Sequence, residues 1–164
     1  MPLGVRFAPL GPQHLPQVVQ IERACFPRPW SPRILKAELS HPRARVTGAF
    51  LEPGGMVVGY CILWFIPPEV QVHNLAVHPG FQGKGIGRRL LARALAEARA
   101  QGATVATLEV RPSNLPARRV YEALGFKTVA IRPCYYRADG EDGLVMELNL
   151  SCAQLDHSPG QVVM

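Results

Sequence analysis

Val72-His-Asn-Leu-Ala-Val-His-Pro-Gly-Phe-Gln-Gly-Lys-Gly-Ile-Gly-Arg-Arg89 joins a strand to a helix through a glycine-rich turn. Glu69 to Val77 alternates between two faces, as a strand does. From about Gly85 to Ala100 the pattern is helical, with Leu91, Ala94, Leu95 and Ala98 on one stripe. A helix start leaves unpaired backbone N–H groups and carries the positive end of the dipole. Glycines let a bulky anion approach such a start without Cβ collisions, and Lys84, Arg88 and Arg89 add positive charge beside it. The spacing excludes two phosphate loops. Lys84 is followed by Gly85 rather than by the Ser or Thr of a Walker loop. Gly83-x-Gly85-x-Gly87 is not the Gly-x-Gly-x-x-Gly of dinucleotide folds, and it lies mid-chain rather than after a first strand. What remains is Gln82-x-x-Gly85-x-Gly87 behind a strand ending Leu75-Ala-Val77-His-Pro79.

Working outward, Val5 to Ala8 reads as a strand and Pro12 to Cys25 as a helix, with Leu15, Val18, Ile21, Glu22 and Cys25 at helical spacings. Phe26-Pro-Arg-Pro-Trp30 breaks it, and Ser31-Pro32 starts a second helix that runs to about Leu39. Strands follow at Arg45 to Leu51 and Met56 to Ile66 around the turn Glu52 to Gly55. Beyond the central helix come a strand from Thr104 to Val110, a helix from Leu115 to Leu124 ended by Gly125, and a strand from Phe126 to Arg132. A polar loop from Pro133 to Gly143 and a last strand from Leu144 to Leu150 complete the pattern. This order predicts one α/β domain over residues 1–150: a mixed, mostly antiparallel sheet of about six or seven strands with about four helices on its two faces. Residues 151–164 have weak pattern and read as a loose tail.

The 164 residues suit one domain, and 48% of them are hydrophobic, enough for a real core. The longest apolar run, Tyr60 to Ile66, is far short of a membrane span. Met1-Pro-Leu-Gly-Val-Arg6 shows no charged-then-apolar leader, which predicts no signal peptide. Cys25, Cys61, Cys134 and Cys152 are scattered, and His14, His41, His78 and His157 show no ligand spacing. The expectation is therefore no disulfide framework, no metal and a reduced cytoplasm. The net charge of +6 favours anionic partners without choosing among them.

Glu109 is unusual inside the strand Val105-Ala-Thr-Leu-Glu-Val110, since glutamate is depleted there. Asn114 suits a helix N-cap. Tyr121 shares the stripe of Ala117, Val120 and Leu124 and so points inward, where a tyrosine by itself is a core aromatic. Alternation puts His73 on one strand face with Gln71, Leu75 and Val77. Its imidazole suits proton transfer, with a structural role as the alternative.

Taken together, Asn74-Leu-Ala-Val-His-Pro79 and the Gln82 to Gly87 loop resemble the GNAT superfamily of N-acetyltransferases over roughly residues 3–150. Leu108-Glu-Val-Arg-Pro-Ser-Asn114 and Tyr121-Glu-Ala-Leu-Gly-Phe126 resemble its RimI type, the bacterial ribosomal-protein-alanine N-acetyltransferases. The resemblance implies that Gln82, Gly83, Lys84, Gly85, Ile86, Gly87 and Arg88 hold the pyrophosphate of acetyl-CoA. It implies that the strand at Leu75, Ala76 and Val77 splays and holds the acetyl-pantetheine arm. Glu109 is then the general base, Tyr121 the acid for the leaving thiolate, and Asn114 a cofactor contact. Acceptor contacts would come from Phe26 and Trp30 in the first loop and from Tyr135 and Tyr136 in the last. There Asp139, Glu141 and Asp142 are available to a cationic peptide terminus. The first loop departs from the RimI pattern, because Arg28-Pro29 separates Phe26-Pro27 from Trp30-Ser31.

A tyrosine of pKa ~10 donates to a thiolate of parent pKa ~8.5 with a modest uphill step, whereas a glutamate near ~4.3 works on an ammonium only through water or after burial. An α-amine near ~8 loses its proton more readily than a lysine near ~10.4. The implied function is acetylation of a protein N-terminus, that of an alanine on a ribosomal protein, in the cytoplasm and without membrane or direct nucleic-acid contact. Other N-termini, lysine or a small amine remain open as acceptors. So does a basic RNA- or ribosome-binding module that lacks catalysis.

Overall fold

In the computed structural model, which describes residues 4–136 and 139–155, the chain opens with β1 (Val5–Pro9) and a 3-10 turn (Pro12–His14) leading into α1 (Leu15–Cys25). The Ser31 hydroxyl accepts from Ile34 N at 3.2 Å and caps α2 (Pro32–Ser40). Then come β2 (Ala44–Leu51), β3 (Met56–Ile66), β4 (Glu69–Val77), α3 (Ile86–Ala100), β5 (Val105–Val110), α4 (Leu115–Leu124), β6 (Lys127–Tyr136) and β7 (Glu141–Asn149). Among the described residues no helix is long and apolar enough to cross a membrane.

The seven strands form one sheet in the order β1-β2-β3-β4-β5-β7-β6. Every neighbouring pair is antiparallel except β4 and β5, which run parallel. Two apolar clusters lie on opposite faces. On one, Leu90, Leu91 and Leu95 of α3 and Leu124 of α4 bury Val70, Val72, Leu108 and Met146. On the other, Val18 and Ile21 of α1 and Leu35 of α2 bury Tyr60, Ile62 and Ala76. Burying a side chain of this size contributes roughly 1.5–3 kcal/mol, so the two layers fix the sheet between them.

Three expectations need correction. The segment 133–143 is not one loop, because β6 continues to Tyr136 and β7 begins at Glu141. Pro133 is tolerated because β6 is an edge strand, and a register shift between Arg132 and Tyr136 absorbs the irregularity. The stretch 151–164 is not loose from its start. Leu155 is buried in the α3 cluster, and Arg99 Nη1 donates to Leu150 O at 3.1 Å and to Ala153 O at 2.8 Å. Residues 156–164 of that expectation lie outside the described residues.

The third correction concerns β4. Ile62 pairs with Asn74 and Leu63 with Val72, which leaves His73 as the extra residue of a β-bulge. The bulge reverses the alternation. Val70 and Val72 face the α3 cluster before it, and Leu75 and Val77 pack against that cluster after it. Gln71 and His73 therefore do not share a face with Leu75 and Val77.

Candidate active site

A fork in the sheet organises the site. β4 and β5 pair only from Glu69↔Val105 to Val72↔Leu108. Beyond that point β4 continues to Val77 held by β3 alone, and β5 continues to Val110 held by β7 alone. The expected splay is thus present, and Leu75 to Val77 form one of its walls. Backbone groups along that wall face the opening rather than a ladder. Leu75 N donates to its neighbour's Asn74 Oδ1 at 3.0 Å, and Val77 O accepts from Gln82 Nε2 at 2.7 Å and from Cys25 Sγ at 3.1 Å.

The glycine turn stands at the open end. Gly83 (φ +78°) and Gly85 (φ +81°) are left-handed, a conformation that other residues reach only with strain. Gly85 is the N-cap of α3 and supplies no capping side chain, so the amides of the first helical turn stay available to an anion. Arg88 Nε is buried with no hydrogen-bond partner among the described residues. An orphaned guanidinium nitrogen beside an uncapped helix start fits a bound polyphosphate. Gln82 behaves differently from its fellow loop residues, because its amide braces Val77 O rather than pointing free.

Glu109 and Tyr121 lie on opposite faces of β5. Tyr121 belongs with Leu108 and Val110 to the α3 cluster, only 7% exposed, its ring edge-on to Phe126 at 5.8 Å. Burial pushes its pKa up, with smaller contributions from Cys61 and Tyr136, and the phenol stays protonated. Glu109 alternates to the other face. There its Oε1 accepts from Arg132 Nη1 at 2.6 Å, and the carboxylate raises the pKa of nearby Tyr135. The fork, where β5 parts from β4 beyond Leu108, opens beside Glu109. Asn114 accepts from Ala117 N at 3.3 Å as the cap of α4, which leaves its Nδ2 unused by that bond.

The β6–β7 hairpin is thereby joined to the site. Arg132 lies over the Tyr135 ring at 4.3 Å, and Arg111 over Tyr136 at 4.0 Å. The hairpin's acidic residues, expected to receive a cationic terminus, are already engaged. Asp139 and Glu141 accept from Arg111 Nη1 at 2.7 and 3.2 Å, Glu141 also holds Ser113, and Asp142 accepts from Cys134 N. The Arg111 bond chiefly lowers the pKa of Asp139, with Arg28 of the first loop among the lesser causes. The Ser113 bond chiefly lowers that of Glu141. A hollow of about 410 Å³ lined by Thr104, Val105, Glu147, Asn149 and Ser151 sits toward the other end of β5 and is no part of the fork.

One buried charged residue beside the site went unassigned in the sequence. Glu22, 2% exposed, accepts at Oε1 from the Tyr60 hydroxyl and from Asn74 Nδ2 (2.8 Å), and at Oε2 from Trp30 N (2.8 Å). It ties the first loop, with half-buried Phe26 and Trp30, to the strand that walls the fork. The available signal was a carboxylate inside an apolar helical stripe. Burial and the Glu22 carboxylate hold the Tyr60 phenol far above its ordinary value, so it acts as a donor.

Residues 15–126 match the model of the acetyltransferase (GNAT) family. An N-alpha-acetyltransferase RimI of Mycobacterium tuberculosis is 42% identical over 122 residues, 72% of this chain and 74% of that protein. The ribosomal protein bS18-alanine N-acetyltransferase of Escherichia coli K12 is 35% identical over 139 residues, 84% of this chain and 92% of that one. A crystal structure of the Escherichia coli ribosomal-protein-S18-alanine N-acetyltransferase superposes with a TM-score of 0.81 at 29% identity, covering 98% of this chain and 100% of that one. Arabidopsis thaliana NAA60 in complex with acetyl-CoA shares the fold, with a TM-score of 0.81 at 16% identity over 90% of this chain and 99% of that one.

Proposed function

Because this chain belongs to the acetyltransferase (GNAT) family, we propose that it transfers the acetyl group of acetyl-CoA to the α-amine of a protein N-terminus, an N-terminal alanine of a ribosomal protein foremost. The fork between β4 and β5 carries this reading, because it opens at an uncapped helix start on one side and at Glu109 on the other. The relatives' names support the acceptor. A ribosomal acceptor sets the reaction in the cytoplasm.

The roles follow from position. The first-turn amides of α3 with Gly83, Lys84, Gly85, Ile86, Gly87 and Arg88 take the pyrophosphate, and Leu75, Ala76 and Val77 line the acetyl-pantetheine arm. Asn114 offers Nδ2 to the same arm. Phe26 and Trp30 from the first loop and Tyr135 and Tyr136 from the hairpin border the acceptor's path. Glu109, acting through a water, draws a proton from the amine as the C–N bond forms. Tyr121, kept protonated by burial, returns one to the thiolate as the C–S bond breaks. Direct transfer of this kind needs no acetyl-enzyme.

Free-thiol release from acetyl-CoA with a peptide beginning Ala-Arg, beside the same peptide N-blocked, tests the reading. Release with the free terminus alone is expected. Equal rates with both peptides would move the acceptor to a side-chain amine.

A further inference from the structure

We propose that His73 is a second proton acceptor of the transfer, standing across the fork from Glu109. This rests on the acetyl-transfer reading above and deepens it. The last paired positions of β4 and β5 are Val72 and Leu108, so the next residue on each strand is His73 and Glu109. They occupy matching places where the strands part, on the face where Thr107 Oγ1 meets Glu69 Oε1 at 2.7 Å and away from Tyr121. The β-bulge puts His73 outside the β3 ladder and re-aims it, a common use of bulges beside active sites.

The ring is held as a base must be held. It stacks on Trp64 at 5.0 Å, and Trp64 stacks in turn on His41 at 4.1 Å and donates Nε1–H to Glu38 Oε2 at 2.8 Å. His73 Nε2 lies 3.0 Å from Gln71 Oε1. An amide oxygen only accepts, so in the neutral ring Nε2 carries the hydrogen and Nδ1 presents a lone pair. No partner for Nδ1 is found among the described residues. Charges face the ring from two elements, Glu38 of α2 and Glu109 of β5. Both favour the imidazolium, but burial outweighs them and lowers the pKa, so the neutral base prevails near pH 7.

The chemistry moves two protons off the amine. An ammonium nitrogen loses two protons in becoming an amide nitrogen. One must leave before attack, to free the lone pair. The other leaves as the C–N bond forms and the C–S bond breaks, when the thiolate takes a proton from Tyr121. Glu109 already accepts from Arg132. His73 Nδ1 takes the first proton and releases it to solvent, and Glu109 takes the second and returns it through water to the Tyr121 phenolate. The net products are the acetylated amine, the CoA thiol and one proton.

The experiment compares H73Q with the wild type on the free-terminus peptide at pH 7 and at about pH 9.5, well above the α-amine pKa of ~8. We expect kcat/KM to fall at least ten-fold at pH 7, with the KM for acetyl-CoA unchanged, and most of the loss to vanish at the higher pH, where the amine arrives neutral. Free imidazole added to H73A should restore part of the rate at pH 7. A loss equal at both pH values, or no loss, overturns the relay. Wild-type turnover of the peptide leaves the acetyl-transfer reading standing in either case. Should H73Q fail to fold, the wild type carries the test. Its log kcat/KM should run near level below the α-amine pKa of ~8 and fall with slope one only below about pH 6.5, and a slope of one running unbroken up to the amine pKa overturns the proposal.

Discussion

At Tyr121 the hydroxyl makes no hydrogen bond among the described residues, while the ring fills the α3 cluster. Tyr121→Phe therefore keeps the packing and removes only the hydroxyl that serves as proton donor in the proposed mechanism. The expected result is a kcat lower by about 10²–10⁴-fold with acetyl-CoA affinity intact, measured by steady-state rates beside calorimetric binding. Because burial raises this pKa above its ordinary 10, Tyr121 contributes no basic limb to the rate below that pH. Glu109→Gln should lower kcat in the same range, its amide still able to accept from Arg132. A variant of either residue with full activity would remove that residue from the mechanism. Glu22 differs in kind, for its carboxylate accepts from three donors that converge from β3, β4 and the first loop. Glu22→Ala leaves the Tyr60 hydroxyl and Trp30 N without that acceptor and Asn74 Nδ2 with only the Tyr60 hydroxyl, at roughly 1–3 kcal/mol for each buried donor left unpaired. We expect a clear drop in Tm together with a rise in peptide KM, because Trp30 loses its anchor.

Among the elements, the β6–β7 hairpin depends most on charge. Asp139 and Glu141 are fully ionised at neutral pH and tie the hairpin to Arg111 and Ser113, on the loop before α4. Their pKa values are depressed in the folded protein. Such groups contribute stability that is present above the ordinary carboxyl pKa and is lost as pH falls through the depressed values. Hydrogen exchange at 134–136 and 139–143 should therefore quicken below about pH 4, ahead of exchange in α3. Unchanged protection down to global unfolding would show that backbone pairing alone holds the hairpin. This hairpin is also where the sequence was least legible. Pro133 and a run of polar residues read as loop, yet an edge strand needs no donor from proline, and the acids are matched by Arg111 more than twenty residues upstream. The helices and β3, β4 and β5 were legible because period, cap and glycine agreed at each. The His73 bulge was not, since one unpaired residue leaves no mark on an alternating pattern.

Across the whole molecule, one parallel pair among antiparallel neighbours produces the fork, and the fork joins the two faces of the sheet. The glycine turn and Tyr121 lie with α3 and α4, whereas Glu109, His73 and the first loop lie with the opposite face. On the proposed function, donor and acceptor would then enter from different sides and need not displace each other. A covalent relay would require a nucleophile at the fork, and Cys25, whose Sγ meets Val77 O on the fork wall, is poorly suited to the part. Burial and the Glu22 charge raise its pKa, and its Sγ–H is directed at Val77 O. The raised pKa keeps the thiolate scarce at neutral pH, which removes the attacking species. Initial rates with acetyl-CoA and the Ala-Arg peptide varied together should then give intersecting double-reciprocal lines, the mark of a ternary complex. Cys25→Ala should keep that pattern with kcat within a few-fold of the wild type. Parallel lines, lost on that substitution, would mean that the acetyl group rests on Cys25 before transfer, and that the fork takes its substrates in turn rather than together.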